Sequence, residues 1–219
     1  CVEAGIKQFI FIVPKNRPTI KNYFFNDSFY KRIIKKKKKD KNLKKIFKRI
    51  KMYQKMIKFV YQNKPDGTGA AVLKCKKYLK DKHFLMLLAD DLIVKKNCSK
   101  EMISLHKKTK GSVIATKKVE RRTVSRWGIL GVKDKKKYSF SINEVIEKPK
   151  LKEAPSNYAI IGRYILPKKI LFVLKNQKKG KGGEIHITDA IKTLIKRGEK
   201  FYGNIFKGQY LDSGTLEGY

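Results

Sequence analysis

The sequence predicts an α/β fold built on a doubly wound, mainly parallel mixed sheet. Three observations predict it. Apolar runs of strand length alternate with segments of helix length through the first half of the chain. Residues 84–89, Phe-Leu-Met-Leu-Leu-Ala, form one unbroken apolar run, the mark of a central strand covered on both faces. After about residue 116 the rhythm loosens into further strand-like runs separated by Gly or Pro.

Taken in order, Gly5 stands where a helix C-terminus would end. Residues 8–13 read as a buried strand closed by Pro14. Residues 20–56 are lysine-rich with apolar residues at irregular helical spacing, so helices are expected, with a solvated or loosely ordered middle around the basic run 35–39. Residues 57–61 alternate as a strand, 65–69 form a turn, and 70–79 read as a helix. The apolar strand at 84–89 stops at Asp90-Asp91. A helix follows over 99–108, with Ser99 as its cap, then a strand at 112–116. Strands are expected at 127–132, 141–147 and 157–166. Residues 188–197 form an amphipathic helix: Thr188 can cap it, Ile191, Leu194 and Ile195 share a face, and Gly198 ends it. A last strand covers 201–206. No repeat or linker interrupts the text, which reads as one domain over 1–219.

Composition narrows the function classes. No apolar run approaches the roughly 20 residues that span a bilayer, and residues 1–6 lack the charged start and long apolar stretch of a signal peptide. The chain opens without Met and both ends look cut. Cys1, Cys75 and Cys98 form no Cys-x-x-Cys pair, which favours free thiols over a zinc knuckle. Lys+Arg 55 against Asp+Glu 18 gives a net charge of +37. Such an excess would attract a polyanion, but the lysines are spread along the chain with abundant Asn, Ile, Phe and Tyr. Compositional drift on a solvated surface accounts for that pattern better than a nucleic-acid interface does.

Ligands of open α/β sheets bind beyond the carboxyl ends of strands. Asp90 ends the most apolar run, and Asp212 lies between Tyr210-Leu211 and Ser213-Gly214. If the two converge, they make a hard oxygen site for Mg²⁺ with room for phosphate oxygens; alone, each is an ordinary cap or turn former. Asp91 could cap or assist. Gly67 and Gly69, between a strand and a helix, let the backbone approach a flat or anionic ligand, although a plain turn explains them equally. Lys148 could neutralise a phosphate, and Glu147 and Glu184 could accept from sugar hydroxyls. The three histidines show no metal-ligand spacing.

Together these pieces resemble one family. Gln62, Pro65-x-Gly67-x-Gly69, Leu87-Leu88-Ala89-Asp90-Asp91, Trp127-Gly128-Ile129, Val145-Ile146-Glu147-Lys148-Pro149, Glu153-Ala154-Pro155-Ser156-Asn157, Gly182-Gly183-Glu184-Ile185 and Tyr210-Leu211-Asp212-Ser213-Gly214 stand in the order seen in bacterial UTP–glucose-1-phosphate uridylyltransferases. The resemblance implies a Rossmann-like nucleotide-diphospho-sugar transferase fold, with a nucleotide-binding part over 57–125 and a sugar-binding part over 126–219. It implies a Mg²⁺-dependent reaction of UTP with glucose 1-phosphate, giving UDP-glucose and pyrophosphate. By matching position, Asp90 and Asp212 would hold the metal, Gln62 and Gly67 would face the uracil, with Gly69 beside them, Gly128, Glu147 and Glu184 would contact the glucose, and Lys148 its phosphate. A cytoplasmic homo-oligomer is implied, with no membrane and no specific nucleic acid as partner.

The chain departs from the family in three places. The family's first strand and glycine-rich loop have no match, so the chain is expected to begin beyond them and to be nearly inactive alone. Asp66, Thr68 and Ala70 replace common residues of the base-contacting loop. Residues 31–55 are denser in lysine than is usual. The alternatives are a sister thymidylyl- or cytidylyltransferase and, in another class, a basic nucleic-acid-binding protein.

Overall fold

The computed structural model describes residues 1–37 and 40–214. They form two compact units, residues 6–65 on the one hand and residues 1–5 with 66 onward on the other.

In the smaller unit two short apolar strands, β1 (Phe9–Val13) and β2 (Ile57–Tyr61), pair in parallel with Phe9 opposite Ile57. Parallel neighbours need a crossover, and three helices supply it: α1 (Thr19–Phe25), α2 (Asp27–Lys36) and α3 (Lys41–Gln54). Asn26 and Asp40 cap α2 and α3, their side-chain oxygens accepting the N–H groups of Phe29 and Leu43. The crossover is pinned by rings: Phe11 stacks on Phe24 at 5.6 Å, and Tyr30 meets Phe47 edge-on at 4.9 Å. Helices were expected here, and their lysines face outward. Lys38 and Lys39 of the basic run lie outside the described residues.

The larger unit begins with α4 (Thr68–Lys74) and β3 (His83–Leu87), followed by β4 (Asp91–Val94), α5 (Cys98–Thr109) and β5 (Ser112–Lys118). Then come β6 (Gly128–Lys133), β7 (Ser139–Glu147), β8 (Tyr158–Pro167), α6 (Ile170–Asn176), α7 (Ile187–Lys196), β9 (Phe201–Ile205) and β10 (Gln209–Asp212). Six strands form one mixed sheet in the order β3-β8-β5-β9-β7-β6. Alternate residues of its strands feed two cores. Ile114, Ile160, Tyr164 and Leu166 face α4, α6 and α7, where Val72, Leu174, Ile191 and Leu194 are buried. Val113, Ala115, Ile161 and Ile165 face α5 and its Met102. Helices therefore cover both faces, as doubly wound architecture requires.

Several expectations are corrected. The sheet's pairing is parallel only between β5 and β9; β8 inserts antiparallel between β3 and β5, and the other contacts are antiparallel as well. β3 has apolar cover on both sides, through Phe84 and Met86 on one and Leu85 on the other. Yet it lies at the edge of this sheet, not its centre, because only β8 pairs with it there. The helix expected over 70–79 starts two residues earlier and breaks after Lys74 into a 3₁₀ turn at Lys76–Tyr78. Ser99 does not cap α5; it is buried in the first turn, and the Asn97 side chain accepts the N–H of Lys100 instead. Thr188 does not cap α7 either, since the chain is already helical at Ile187, whose N–H is taken by the Thr68 hydroxyl at 3.2 Å. β4 and β10 were not foreseen. Among the described residues no helix is long and apolar enough to cross a membrane.

Two predictions follow from this packing. Gly203 on β9 sits opposite Phe140 on β7, and an added Cβ would stand 2.4 to 2.7 Å from three carbons of the buried ring. Gly203→Ala is therefore expected to lower the unfolding free energy by about 1–3 kcal/mol, and Phe140→Leu in that background should recover part of the loss. Urea denaturation checks both; strictly additive losses would remove the contact as the cause. The second concerns His83 on β3, whose ring lies 4.5 Å from that of His106 on α5. Burial, then the His106 charge, hold the His83 imidazole below its ordinary value of 6.5. The unfolded chain thus takes up this proton at higher pH than the folded one. The contribution to stability is complete above 6.5 and is lost as the pH falls towards the folded value. His83→Gln should flatten the drop in urea midpoint between about pH 7.5 and pH 5.5 relative to wild type.

Candidate active site

The two aspartates singled out from the sequence do meet. β4 and β10 form a separate antiparallel ribbon with Leu211 opposite Leu92 and Asp212 opposite Asp91. Asp90, just before β4, accepts the Ser213 N–H on its backbone oxygen at 2.9 Å, and Gly214 N–H donates to Asp212 Oδ1 at 2.9 Å. An ideal Cβ on Gly214 would lie 2.9 Å from Asp90 Oδ2 and 3.3 Å from Asp212 Oδ1. Both carboxylates therefore border the same small space, and the bare glycine keeps it open. Asp90 is exposed and Asp212 half-buried. The burial cost expected of Asp90 falls on its neighbour instead, because Asp90 lies three residues beyond the end of β3.

Asp91, like Asp212, is half-buried. Burial first, and the charges of Asp90 and Asp212 after it, push its carboxyl above the usual range, while a hydrogen bond from the Tyr210 hydroxyl pulls the other way. The same contacts and its own burial push the Tyr210 phenol upward. Arg163 on β8 donates to the Asp91 backbone oxygen at 3.0 Å. Gly162 makes room for the group: a Cβ there would lie 2.1 Å from Asp91 Oδ2.

A second cluster gathers the residues read as sugar-binding. Gly128 at the start of β6 pairs with Glu147 at the end of β7. A Cβ on Gly128 would meet Ile160 Cδ1 at 2.9 Å, Glu147 Oε2 at 3.1 Å and Thr188 Cγ2 at 3.4 Å. Lys148 follows Glu147 with φ +45°, a left-handed conformation that a lysine adopts only under constraint, and its N–H donates to Trp127 O at 3.0 Å. Thr188 adds something the sequence reading missed. It is 5% exposed, and its hydroxyl has no partner among the described residues. A buried hydroxyl left unpaired is costly, and the methyl of the same side chain stands beside Gly128.

The clusters are joined through aromatic rings. Trp127, next to Gly128, meets Tyr210 edge-on at 6.1 Å, and Tyr210 reaches Asp91. Gly67, at φ +97°, and Gly69 bring the 65–69 turn against residues 184–187. A Cβ at Gly67 would lie 2.6 Å from Ile185 O and 3.0 Å from Glu184 Cβ, and one at Gly69 would lie 2.6 Å from Leu174 Cδ2 and 2.8 Å from Ile185 O. Close packing on that segment, held by Gly69 N–H to Ile185 O at 2.8 Å and Ile185 N–H to Asp66 O at 2.9 Å, is itself enough to require both glycines. It sets Glu184 beside the turn. Gln62 belongs to the smaller unit, just after β2, where its N–H donates to Val13 O at 3.1 Å. Tyr210, Trp127 and Gly214 stood in the sequence motifs without a role, and Gly162 was not singled out. Only the pairing of β4 with β10 reveals one.

As to metal chemistry, no three His, Cys, Asp or Glu side chains gather into a cage among the described residues. Two carboxylates on one space are a hard, incomplete oxygen set, suited to a cation that keeps water or phosphate oxygens in its remaining positions.

The sequence pattern of the nucleotidyl transferase family matches residues 4–219. The UTP–glucose-1-phosphate uridylyltransferase 2 of Staphylococcus saprophyticus is 34% identical over 217 residues, covering 99% of this chain and 74% of that protein. A UDP-glucose pyrophosphorylase solved in complex with UDP-glucose superposes with a TM-score of 0.85 at 31% identity, over 100% of this chain and 80% of the other. A UTP-bound UGPase from Acinetobacter baumannii gives 0.84 at 30% identity, over 100% and 76%. With the family pattern matched over residues 4–219 and a relative 34% identical over 99% of this sequence, the chain belongs to the nucleotidyl transferase family, among its UTP–glucose-1-phosphate uridylyltransferases.

Proposed function

We propose that the protein transfers the uridylyl group of UTP to glucose 1-phosphate, with Asp90 and Asp212 as the pair that serves the reacting phosphates. One observation carries the proposal: two carboxylates distant in the chain border one space at Gly214, at the open end of an α/β sheet. The relatives' names supply the substrates.

An oxygen of the glucose 1-phosphate attacks the α-phosphorus of UTP in line. The bond from that phosphorus to the bridging β-oxygen breaks, and pyrophosphate leaves with the electron pair. No covalent enzyme intermediate is needed, so the protein's task is positioning and charge neutralisation. Family members use a divalent metal, and we assign Mg²⁺ to Asp90 and Asp212, where it would supply charge neutralisation to the phosphate oxygens. Lys148, held in its constrained exit from β7, faces the sugar phosphate. Glu147 and Glu184 accept from glucose hydroxyls, and Gly128 leaves space for the ring. The unpaired Thr188 hydroxyl joins this set. The backbone at Gly67 and Gly69 serves the uracil. A cytoplasmic, homo-oligomeric enzyme is part of the same reading.

The test is turnover of the complete gene product with UTP, glucose 1-phosphate and Mg²⁺, compared with dTTP and CTP. A wide preference for either of the latter would move the protein to a sister activity. Asp212→Ala should reduce kcat by about 10³-fold or more, the loss typical of a removed charge-stabilising group, with an unchanged urea midpoint. Chelation of the metal should have the same effect, reversed by added Mg²⁺. Thr188→Val keeps the side-chain shape and removes the hydroxyl. It should raise KM for glucose 1-phosphate by roughly tenfold, the equivalent of one lost hydrogen bond, without lowering stability, because the hydroxyl has no partner in the fold to lose. A destabilised protein with unchanged KM would make Thr188 purely structural.

A further inference from the structure

Thr68 is one of the residues that replace common ones in the base-contacting turn, and it brings a hydroxyl to that place. The hydroxyl does not serve its own segment. It accepts the N–H of Ile187 at 3.2 Å, 119 residues further along the chain. Ile187 is the first residue of α7, and that helix has no cap in its own sequence. His186 precedes it without a side-chain capping bond, and Thr188 already lies in the first turn. The leading N–H groups of a helix find no partner within it. One of those of α7 is met from a distance, by the residue that opens α4.

The bond extends a seam between the two segments. Gly69 N–H donates to Ile185 O at 2.8 Å, and Ile185 N–H donates to Asp66 O at 2.9 Å. These are backbone bonds and hold residue 185 whatever side chain stands at position 68. The bond to Ile187 carries the seam into the helix, and it needs the hydroxyl. Further on, Ile187, Ala190, Ile191 and Leu194 are buried in the core, so α7 as a whole stays docked without its cap. What the cap sets is the orientation of the first turn. Thr188 is the next residue. Its hydroxyl is buried without a partner among the described residues, and its Cγ2 lies 3.4 Å from where a Cβ on Gly128 would stand. A small rotation of the first turn re-aims that hydroxyl while leaving the core intact.

We infer that Thr68 is a positioning residue for glucose 1-phosphate, acting through the first turn of α7 on Thr188, although it stands in the turn assigned to the base. This role rests on the one proposed for Thr188. A side chain that served the uracil would act on UTP, and one that served only the fold would act on neither substrate. The two substrates therefore separate the three roles.

The experiment compares Thr68→Val, which keeps the shape and removes the hydroxyl, with Thr68→Ser, which keeps the hydroxyl, both in the complete gene product. Amide exchange at Ile187, followed by NMR without substrate, should be at least about tenfold faster in Thr68→Val, as for a hydrogen bond lost locally. KM for glucose 1-phosphate should rise roughly three- to tenfold, up to the effect of one lost hydrogen bond, while kcat and KM for UTP stay within about twofold of wild type. Thr68→Ser should return both the exchange rate and KM towards wild type. Added to Thr188→Val, Thr68→Val should change KM little further, because both act through one hydroxyl. A rise confined to KM for UTP, faster exchange with unchanged KM for glucose 1-phosphate, or full multiplication of the two effects in the double variant would each overturn the assignment. If Thr188→Val itself leaves KM unchanged, the role proposed for Thr188 fails and that of Thr68 falls with it. An effect of Thr188→Val with none from Thr68→Val sinks the assignment of Thr68 alone.

Discussion

The antiparallel pairing of β4 with β10 is the constraint on which the site depends. Four residues on each side suffice because the ribbon is locked by polar contacts beyond its ladder. The Tyr210 hydroxyl donates to the Asp91 carboxylate, Arg163 donates to the Asp91 carbonyl, and Ser213 N–H donates to the Asp90 carbonyl. Asp91 is thus held from two elements, β10 and β8. Its burial is unfavourable and raises its pKa, and the hydrogen bonds it receives offset part of that cost. A one-residue slip would turn Asp212 and Tyr210 together to the other face of the ribbon. The hydroxyl bond and the carboxylate pairing would then both be lost, so register and chemistry are the same requirement.

Absent side chains shape the site as much as present ones. A methyl at Gly162 would strike Asp91, one at Gly214 would enter the space between Asp90 and Asp212, and one at Gly128 would press on Ile160 and Glu147. Gly67 and Gly69 differ in kind. The atoms that exclude a Cβ there belong to the protein's own 184–185 segment and to Leu174, so those glycines build the wall before any ligand is considered. This packing also accounts for why the Glu184 region, far along the chain, comes to lie beside the 65–69 turn.

What could be read in advance follows from the range of each signal. Strands with continuous or alternating apolar residues, such as β1, β2, β5 and β9, were legible because burial on a face leaves a local trace. β4 and β10 leave none: Asp-Leu-Ile-Val and Gln-Tyr-Leu-Asp are too short, and what stabilises them is each other. Sheet order was equally out of reach. The apolar run at β3 reports cover on two faces but not which strand lies alongside, and the antiparallel insertion of β8 depends on a partner distant in sequence. Caps failed where two candidates stood close together. Asn97 preceded Ser99 as an acceptor, and α7 begins at Ile187, one residue before Thr188 could cap it, with that first N–H taken by Thr68, remote in the chain. Asp90 and Asp212 were singled out by their places after apolar residues, and the motif order then gave them a shared role.

The electrostatics of the site run against those of the chain as a whole. With +37 net charge and only 18 acidic residues, the far field draws polyanions such as nucleoside triphosphates toward the protein from any direction. At the ribbon, however, Asp90, Asp91 and Asp212 crowd together, and within the last few ångströms three carboxyl groups repel a phosphate. Asp90 and Asp212 both face the open space. Only a cation held between these two reverses the sign locally, because a divalent ion is the largest charge in such a site and governs it at short range. On the proposed reading, long-range attraction by lysines would raise the encounter rate, while a divalent ion held by the carboxylate pair would govern capture of the triphosphate. The dependence on ionic strength should accordingly appear in association and the dependence on divalent ion in turnover, two responses that a site built on lysines alone could not separate.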